Sequence, residues 1–562
     1  MKLLGLVLLI SFAVNSTAAG QVEVETEFGF DGYYYPDLPT PISISVRSRG
    51  APLQGQIIIA QEVRSPWQGA TEERLILPFE LAGKSEKRFS LNFLVQGYIY
   101  PLSILVVAAG EVLYKEELSL KGRFLEEPLT LALGESLFPN ELPTGERPIQ
   151  IELRGLPSEW PGLLGVKRLY LGRMDPSGLS RAQWQALSRW VEWGGELVVL
   201  GGDNWYFQDT PTVRELIPFA PTGMGDREGR PIVLGEARGE ILYRQEGSPL
   251  LISSRRGRGR LLFSTVNPLS WPVGEGFWQA LSVPGKKEAP DEERTRLAGQ
   301  LLSQLRLPFP SKLTLIGIYA LYLGGLALFG WAALYRPSLA LLIIPWLAGT
   351  MVLTARYLDR PEFAKPLVGL ELDLFHDLGS TTLHSSWLGL FAKSEAELKL
   401  AVETGDGRLR QAIPKEQGDH LYDVDYLQEG GMVWASFRMR AWRERSFYLE
   451  RMSADLASLK VIGGRVVVQN LSPYALGDCL LLSGERLFAF GPVAPQGAVE
   501  REVGPEASWP DEPLRAQLYS QAKEELLGRQ ALLCSCAAPA PFSQPAAEER
   551  RAVCLVSIEE DS

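Results

Sequence analysis

Cysteine, histidine and positive charge are scarce in this sequence of 562 residues. It holds four cysteines and three histidines, and their placement excludes more than their number does. Cys479, Cys534, Cys536 and Cys554 all lie in the last quarter, and His376, His384 and His420 all follow residue 355. The first two thirds therefore lack both the thiol and the imidazole that Cys–His nucleophilic catalysis requires. No G-x-S-x-G elbow with a following His stands there either, which argues against a serine hydrolase. Lys and Arg number 56 against 67 Asp and Glu, a formal net charge of −11. That balance excludes a general nucleic-acid binder, whose affinity for phosphate comes from clustered cations. Metal is not expected. Cys534-Ser535-Cys536 has no histidine nearby, and His376 and His384 with Asp373 and Asp377 lack ligand-like spacing. No cofactor is expected.

What the chain does have is length and apolar runs. At this size several domains are expected, since one core seldom organises so many residues. Met1-Lys2, the apolar run Leu3 to Val14 and the small residues Asn15 to Ala19 have the three-part form of a secretory signal, so residues 1–19 are expected to be a signal peptide. Residues 313–335 and 338–355 are apolar enough to predict two transmembrane helices. Arg336-Pro337 alone joins them, so the pair is predicted to be an antiparallel hairpin with both flanks on one side. Lys312, Arg356 and Arg360 on the flanks favour a cytoplasmic side, but long domains translocate largely regardless of charge. The signal peptide decides for export. The expected location is a bacterial cytoplasmic membrane with the soluble domains on its extracytoplasmic side. Export also suits one or two disulfides among Cys479, Cys534, Cys536 and Cys554, with the pairing open and buried free thiols equally compatible.

The soluble remainder divides by pattern. Residues 20–124 alternate apolar and polar in short runs, which predicts an Ig-like β-sandwich. Tyr33, Tyr34 and Tyr35 resemble a sugar-stacking platform in composition, but such a triplet more often packs at the end of a core. Residues 125–307 alternate strands (Leu129 to Leu133, Ile149 to Leu153, Arg168 to Leu171, Glu196 to Leu200) with helices, the pattern of an α/β domain. One helix is predicted from Ser180, where Ser180 and Gln183 form a capping box, to Gly194-Gly195. A second is predicted from Asp291. Residues 361–562 return to strand-like runs and predict a second sandwich. The fold class expected is a multidomain α+β membrane protein. Arg255, Arg256, Arg258 and Arg260 hint at an anion site, but the interleaved Gly257 and Gly259 fit a hairpin turn better. In an open α/β sheet a ligand sits outside the carboxyl ends of the strands. Asp175, Ser177, Asp203 and Asn204 follow two such ends and are the candidate ligand-binding residues.

The segments Leu171 to Gly202, Gly257 to Thr265 and Gly463 to Leu476 resemble bacterial membrane-anchored proteins that set a class I glutamine amidotransferase-like domain between β-sandwich domains. The resemblance implies a flavodoxin-like central domain, an envelope location and a non-enzymatic role. Amidotransferases of this class use Cys and His, and the corresponding domain here has neither, which makes it a pseudoenzyme or a binding module. The expected function is a membrane-anchored envelope scaffold whose partners are the lipid bilayer and other envelope proteins. The alternative is a small-ligand or glycan sensor, or a hydrolase, using the strand-end pocket.

Overall fold

The computed structural model describes residues 22–282, 312–358 and 367–557, apart from 66–68, 135–137, 140, 228, 378–380, 393, 405–406, 413–422, 430–431, 440–442, 454–456, 463–464, 484–485, 503–529, 537–541 and 545–548. The expected signal peptide, residues 1–19, and the helix expected from Asp291 lie outside the described residues.

Among the described residues strands predominate, with 51% against 21% in helices. The protein is mainly β, which corrects the α+β membrane class. Among the described residues no helix is long and apolar enough to cross a membrane, and this corrects the expected transmembrane hairpin. A hairpin needs two spanning segments. Here Pro337 starts a 3-10 turn, Pro337–Leu342, that takes up the start of the second apolar run. The α-helix after it, Ile343–Leu358, has 16 residues, about 24 Å against a hydrocarbon layer of about 30 Å. This helix folds back on the helix Lys312–Tyr335, setting the Trp346 indole against Gly325 and 5.7 Å from the Phe329 ring. Ile316, Tyr319, Leu328, Trp331 and Leu334 of the first helix stay exposed, as do Ile344, Met351 and Leu353 of the second.

The central sheet has seven strands. Ile149–Ile151, Leu129–Leu133, Val166–Leu171, Glu196–Leu200 and Gly259–Ser264 lie side by side and parallel in that order. Ser248–Arg256 and Glu240–Gln245 then continue the sheet antiparallel. A doubly wound sheet carries a helix in each crossover and covers both faces with them. Among the described residues one crossover of the parallel strands carries a full-length helix, Arg181–Trp193. The others run through 3-10 turns, the short helices Trp205–Gln208 and Pro211–Leu216 and the hairpin Phe219–Arg227/Arg230–Ala237. The flavodoxin-like expectation is corrected on that ground.

The Arg181–Trp193 helix follows from its local sequence. Gln183 N donates to Ser180 Oγ at 3.3 Å and Ser180 N to Gln183 Oε1 at 2.9 Å, closing the capping box. Leu187, Trp190 and Val191 are buried on one face, and the half-buried Trp184 donates its indole N–H to Pro176 O at 3.2 Å. Gly194 ends the helix at φ +143°, and a Cβ on Gly195 would strike the Trp190 ring.

The N- and C-terminal regions share one sheet. Its strand order is Phe542–Gln544, Ala396–Glu403, Met432–Met439, Val424–Glu429, Gly69–Leu81, Leu53–Ser65, Leu102–Ala108 and Glu111–Leu118. The seam is the parallel pairing of Val424–Glu429 with Gly69–Leu81, in which Val424 lies opposite Glu73 and Leu427 opposite Ile76. Across it Arg74 donates to both carboxylate oxygens of Asp425, at 2.7 and 2.9 Å, and Glu72 N donates to Asp423 Oδ1 at 2.9 Å. One apolar cluster joins Ile57, Ile59 and Ile104 to Leu388, Leu400, Phe437 and Phe447. A second sheet of eight strands, running from Arg408–Ala412 to Arg486–Ala489, closes the C-terminal region. It touches the central unit through Leu383 and Met452, and Thr381 donates to Glu192 Oε2 at 2.8 Å.

Phe437 sits in the shared core with its ring 4.8 Å from that of Phe447. Phe437→Ala should cost about 3–5 kcal/mol in denaturant unfolding. Hydrogen exchange should show loss of protection in Gly69–Leu81 as well as in Met432–Met439; an unchanged Gly69–Leu81 would mean that the two regions unfold separately.

Candidate functional site

The loops at the carboxyl ends of the parallel strands close on themselves. After Val166–Leu171, Asp175 accepts from Ser177 N at 2.9 Å and from Ser177 Oγ at 2.7 Å. The Ser177 hydroxyl, then its backbone N–H, holds the Asp175 carboxyl below its usual range, because both bonds favour the charged form. After Glu196–Leu200, Asp203 Oδ1 accepts from Asn267 Nδ2 at 2.9 Å, while Asn204 is buried. The structure therefore pairs Asp175 with Ser177, and Asp203 with a residue that sequence reasoning missed. Gln208, also missed, is buried and donates its amide to Leu171 O at 3.2 Å and to Gly172 O. A Cβ on Gly134 would lie 2.6 Å from Arg173 O, and one on Gly202 would strike Asn267 N. Backbone and amide groups thus occupy the crevice in which a ligand was expected.

What these loops present outward is aromatic. Tyr206 is 66% exposed and Phe207 43%. The Arg173 guanidinium lies 4.0 Å from the Phe207 ring centroid, a cation–π contact that fixes the ring at the surface. The run Trp205-Tyr206-Phe207 directly after Asp203-Asn204 was the available sequence signal. Trp205 supplies the anchor, since it is buried with its ring 5.6 Å from that of Phe263.

A second polar cluster is built from Asp373, His384, Ser386 and Arg451. Asp373, His384 and Ser386 are all buried. Arg451 Nε donates to His384 Nδ1 at 3.1 Å, so that nitrogen is the acceptor and the imidazole proton sits on Nε2. Asp373 Oδ1 lies 2.8 Å from Nε2 and accepts that proton, while the Ser386 hydroxyl donates to the same carboxylate oxygen. Ser386 Oγ is also 2.8 Å from Nε2, but that nitrogen already carries a proton and cannot act as its base. The three residue types of a hydrolytic triad are present in a wiring that leaves the serine unactivated. Among the described residues no group of three His, Cys, Asp or Glu is placed to hold a metal ion. The side chains of His376 and Asp377 lie outside what is described.

Several buried charges of the central unit are paired. Arg168 donates to Glu196 Oε2 at 2.8 Å and to Glu146 Oε1 at 3.0 Å, and Arg260 lies 2.8 Å from Glu196 Oε1. Burial opposes the charge on Arg168, but Tyr170, Glu196 and Glu146 outweigh it and raise its pKa. Burial raises the Tyr170 phenol, which donates to Glu146 Oε2 at 2.8 Å. Arg256 Nε donates to Glu192 Oε1 at 3.0 Å. Arg256 and Arg260 thus serve carboxylates of the same unit. Gly257, at φ +59°, makes the turn of the hairpin that carries the four arginines, and a Cβ there would lie 2.5 Å from Glu192 O.

Of the tyrosine triplet, Tyr33 is exposed and Tyr34 is buried with its hydroxyl donating to Gly97 O at 2.9 Å. Cys479 and Cys534 are joined by a disulfide, with Cα atoms 4.1 Å apart. Cys536 and Cys554 lie in the strands Gln530–Cys536 and Glu549–Ser557.

Residues 21–121 match the family model of a domain of unknown function, DUF8726. Among curated proteins none matches the chain. Similar solved structures include an alkylpurine DNA glycosylase of Pseudomonas fluorescens bound to DNA, at 15% identity over 17% of this chain and 30% of that one, with a TM-score of 0.15. A cycloisomaltooligosaccharide glucanotransferase of Paenibacillus sp. is 7% identical over 76% of this chain and 70% of that one, with a TM-score of 0.17. A β-glucuronidase of glycoside hydrolase family 2 is 8% identical over 96% and 62%, with a TM-score of 0.14. The chain thus spans less than a third of the first of these structures. Scores this low carry no argument about fold or activity.

Burial, and behind it the charge of Asp37, pushes the Tyr34 phenol up from 10.0 to about 12. A group whose folded pKa is raised binds its proton more tightly when folded, so it stabilises the fold at pH values below 10. That contribution should be lost progressively as pH rises from 10 to about 12. Comparing the denaturation midpoints of the wild type and Tyr34→Phe over this range checks it, and parallel decline in both would contradict it.

Proposed function

We propose that this chain is an envelope scaffold, held at a bacterial cytoplasmic membrane on its extracytoplasmic side, that binds partner proteins through a catalytically inactive amidotransferase-like unit. The observation that carries the reading is the strand-end surface. Its polar residues bond to one another and to the backbone, and what it offers outward is Tyr206, Phe207 and Arg173. Exposed aromatic and Arg side chains on a supported surface are the groups that anchor protein interfaces. Lipid contact is assigned to the helices Lys312–Tyr335 and Ile343–Leu358, whose exposed apolar side chains have no other described cover. The shared sheet supports a scaffold, because it holds the N- and C-terminal regions in fixed relation to each other.

A photo-crosslinking amino acid in place of Tyr206, in the producing cells, should give a discrete protein adduct that Phe207→Ala weakens about tenfold or more. Asp175→Ala with Asp203→Ala should leave the adduct intact. No adduct at this position, or an adduct abolished by the double aspartate change, would overturn the partner-binding reading. The full chain should also sediment with lipid vesicles; recovery in the supernatant would overturn the membrane assignment.

A further inference from the structure

The shared sheet is apolar on its outer face as well as on its inner one. Its strands put Ile57, Ile59, Leu75, Ile104 and Tyr426 into the core. Side chains alternate along a strand, so the residues between these point the other way. On that outer face the registers set Trp434 opposite Leu427, Leu427 opposite Ile76, Ile76 opposite Ile58 and Ile58 opposite Leu105. They form one unbroken apolar row that crosses the seam, and each of them is half-buried where its core neighbours are buried. In the next row Met432 and Val107 are half-buried too, and Val112 is 56% exposed. The row on the other side is polar. It runs from Lys399 to Glu117 and holds Ser436, Asp425, Arg74 and Ser103. An apolar stripe rimmed by charge on an open face marks a contact surface.

We propose that this face joins two copies of the chain, sheet against sheet, about a two-fold axis parallel to Gly69–Leu81. That strand is the middle one of those from Ala396–Glu403 to Glu111–Leu118 that carry the rows, and Ile76 is the middle of the apolar row. The axis reverses the strand order and keeps each row at its own height. Ile76 then meets Ile76 of the second copy, Leu427 meets Ile58 of the second copy, and Trp434 meets Leu105 of the second copy. The polar row complements itself in the same way. Lys399, whose ammonium lies 4.7 Å from the Trp434 ring centroid, stands at one end and Glu117 at the other, so the axis brings opposite charges together. Arg74 meets its own copy, but its charge is already matched by both carboxylate oxygens of Asp425. Such a self-complementary patch is what a two-fold interface requires, and identical twisted sheets stack aligned at about 10 Å. Six strands about 4.8 Å apart and about 20–27 Å long offer roughly 600 Å² in flat projection, more as accessible surface, against about 800 Å² per partner in a standard interface. A lipid layer fits worse, because the row of Asp425 and Arg74 runs about 7 Å from the apolar one and would be drawn into hydrocarbon with it.

Sedimentation equilibrium of the full chain in mild detergent should give a dimer. Ile76→Lys sets two ammonium groups against each other on the axis and should weaken the association about a hundredfold or more, and Ile76→Asp should do the same with two carboxylates. An equimolar mixture of the two variants should recover the dimer, because opposite charges then meet on the axis. A monomeric wild type, a dimer that survives Ile76→Lys, or a mixture that stays monomeric overturns the proposal. Should the charged variants fail to fold, Ile76→Cys decides. A short bismaleimide should join two chains through that position, and no more covalent dimer than the wild type gives overturns the proposal equally.

Discussion

The architecture depends on a single parallel pairing between strands from opposite ends of the chain. Gly69–Leu81 and Val424–Glu429 meet in register, and Arg74 grips Asp425 across the seam. The exposed ion pair contributes little itself, of the order of 0–1 kcal/mol for such pairs. What the pairing makes possible is the shared core, because placing the two strands side by side brings Ile57 and Ile104 onto the same cluster as Leu400 and Phe437. Each such side chain is worth about 1.5–3 kcal/mol on full burial. The seam sets the geometry and the apolar contacts on either side of it supply the stability.

A consequence runs through the polar interior. A chain locked at both ends around a central unit buries much of that unit's charge, and buried charge must be paired. Arg168 with Glu146 and Glu196, and Arg256 with Glu192, meet this demand there, and His384 with Asp373 meets it in the C-terminal sheet. Groups that read in sequence as potential chemistry are thereby occupied with holding the fold. The His384 cluster makes the point most sharply. The same three residue types would activate a serine if Asp373 lay on Nδ1 and Ser386 faced an unprotonated Nε2, but Arg451 takes Nδ1 and fixes the opposite tautomer.

What was legible in the sequence was local. The capping box of Ser180 and Gln183 spans three residues and forms as expected, and the turn at Gly257 follows from glycines beside a strand. The seam was not legible, since its partners are 351 residues apart and parallel pairing has no turn to announce it. Apolar length alone misjudged the second helix, because Pro337 begins a 3-10 turn rather than a helix and the α-helical part starts only at Ile343. At the strand ends the sequence marked Asp175 and Asp203 but not the partners that neutralise their reach. Ser177 is two residues away and was read as a separate site residue, while Asn267 is 64 residues from Asp203.

The seam also constrains the two helices. The described residues of 22–282 and 367–557 belong to one body, and the two helices come between them in the chain. No lipid surface can lie between the two halves without breaking the shared sheet. On the proposed reading, therefore, the aromatic strand-end surface and the Cys479–Cys534 disulfide lie in one compartment, although Tyr206 and Cys479 are far apart in sequence. The C-terminal sheet and the central unit are joined through the Thr381–Glu192 contact and the apolar cluster around Leu383 and Met452, so a partner bound at the strand-end surface meets the same solvent as that sheet.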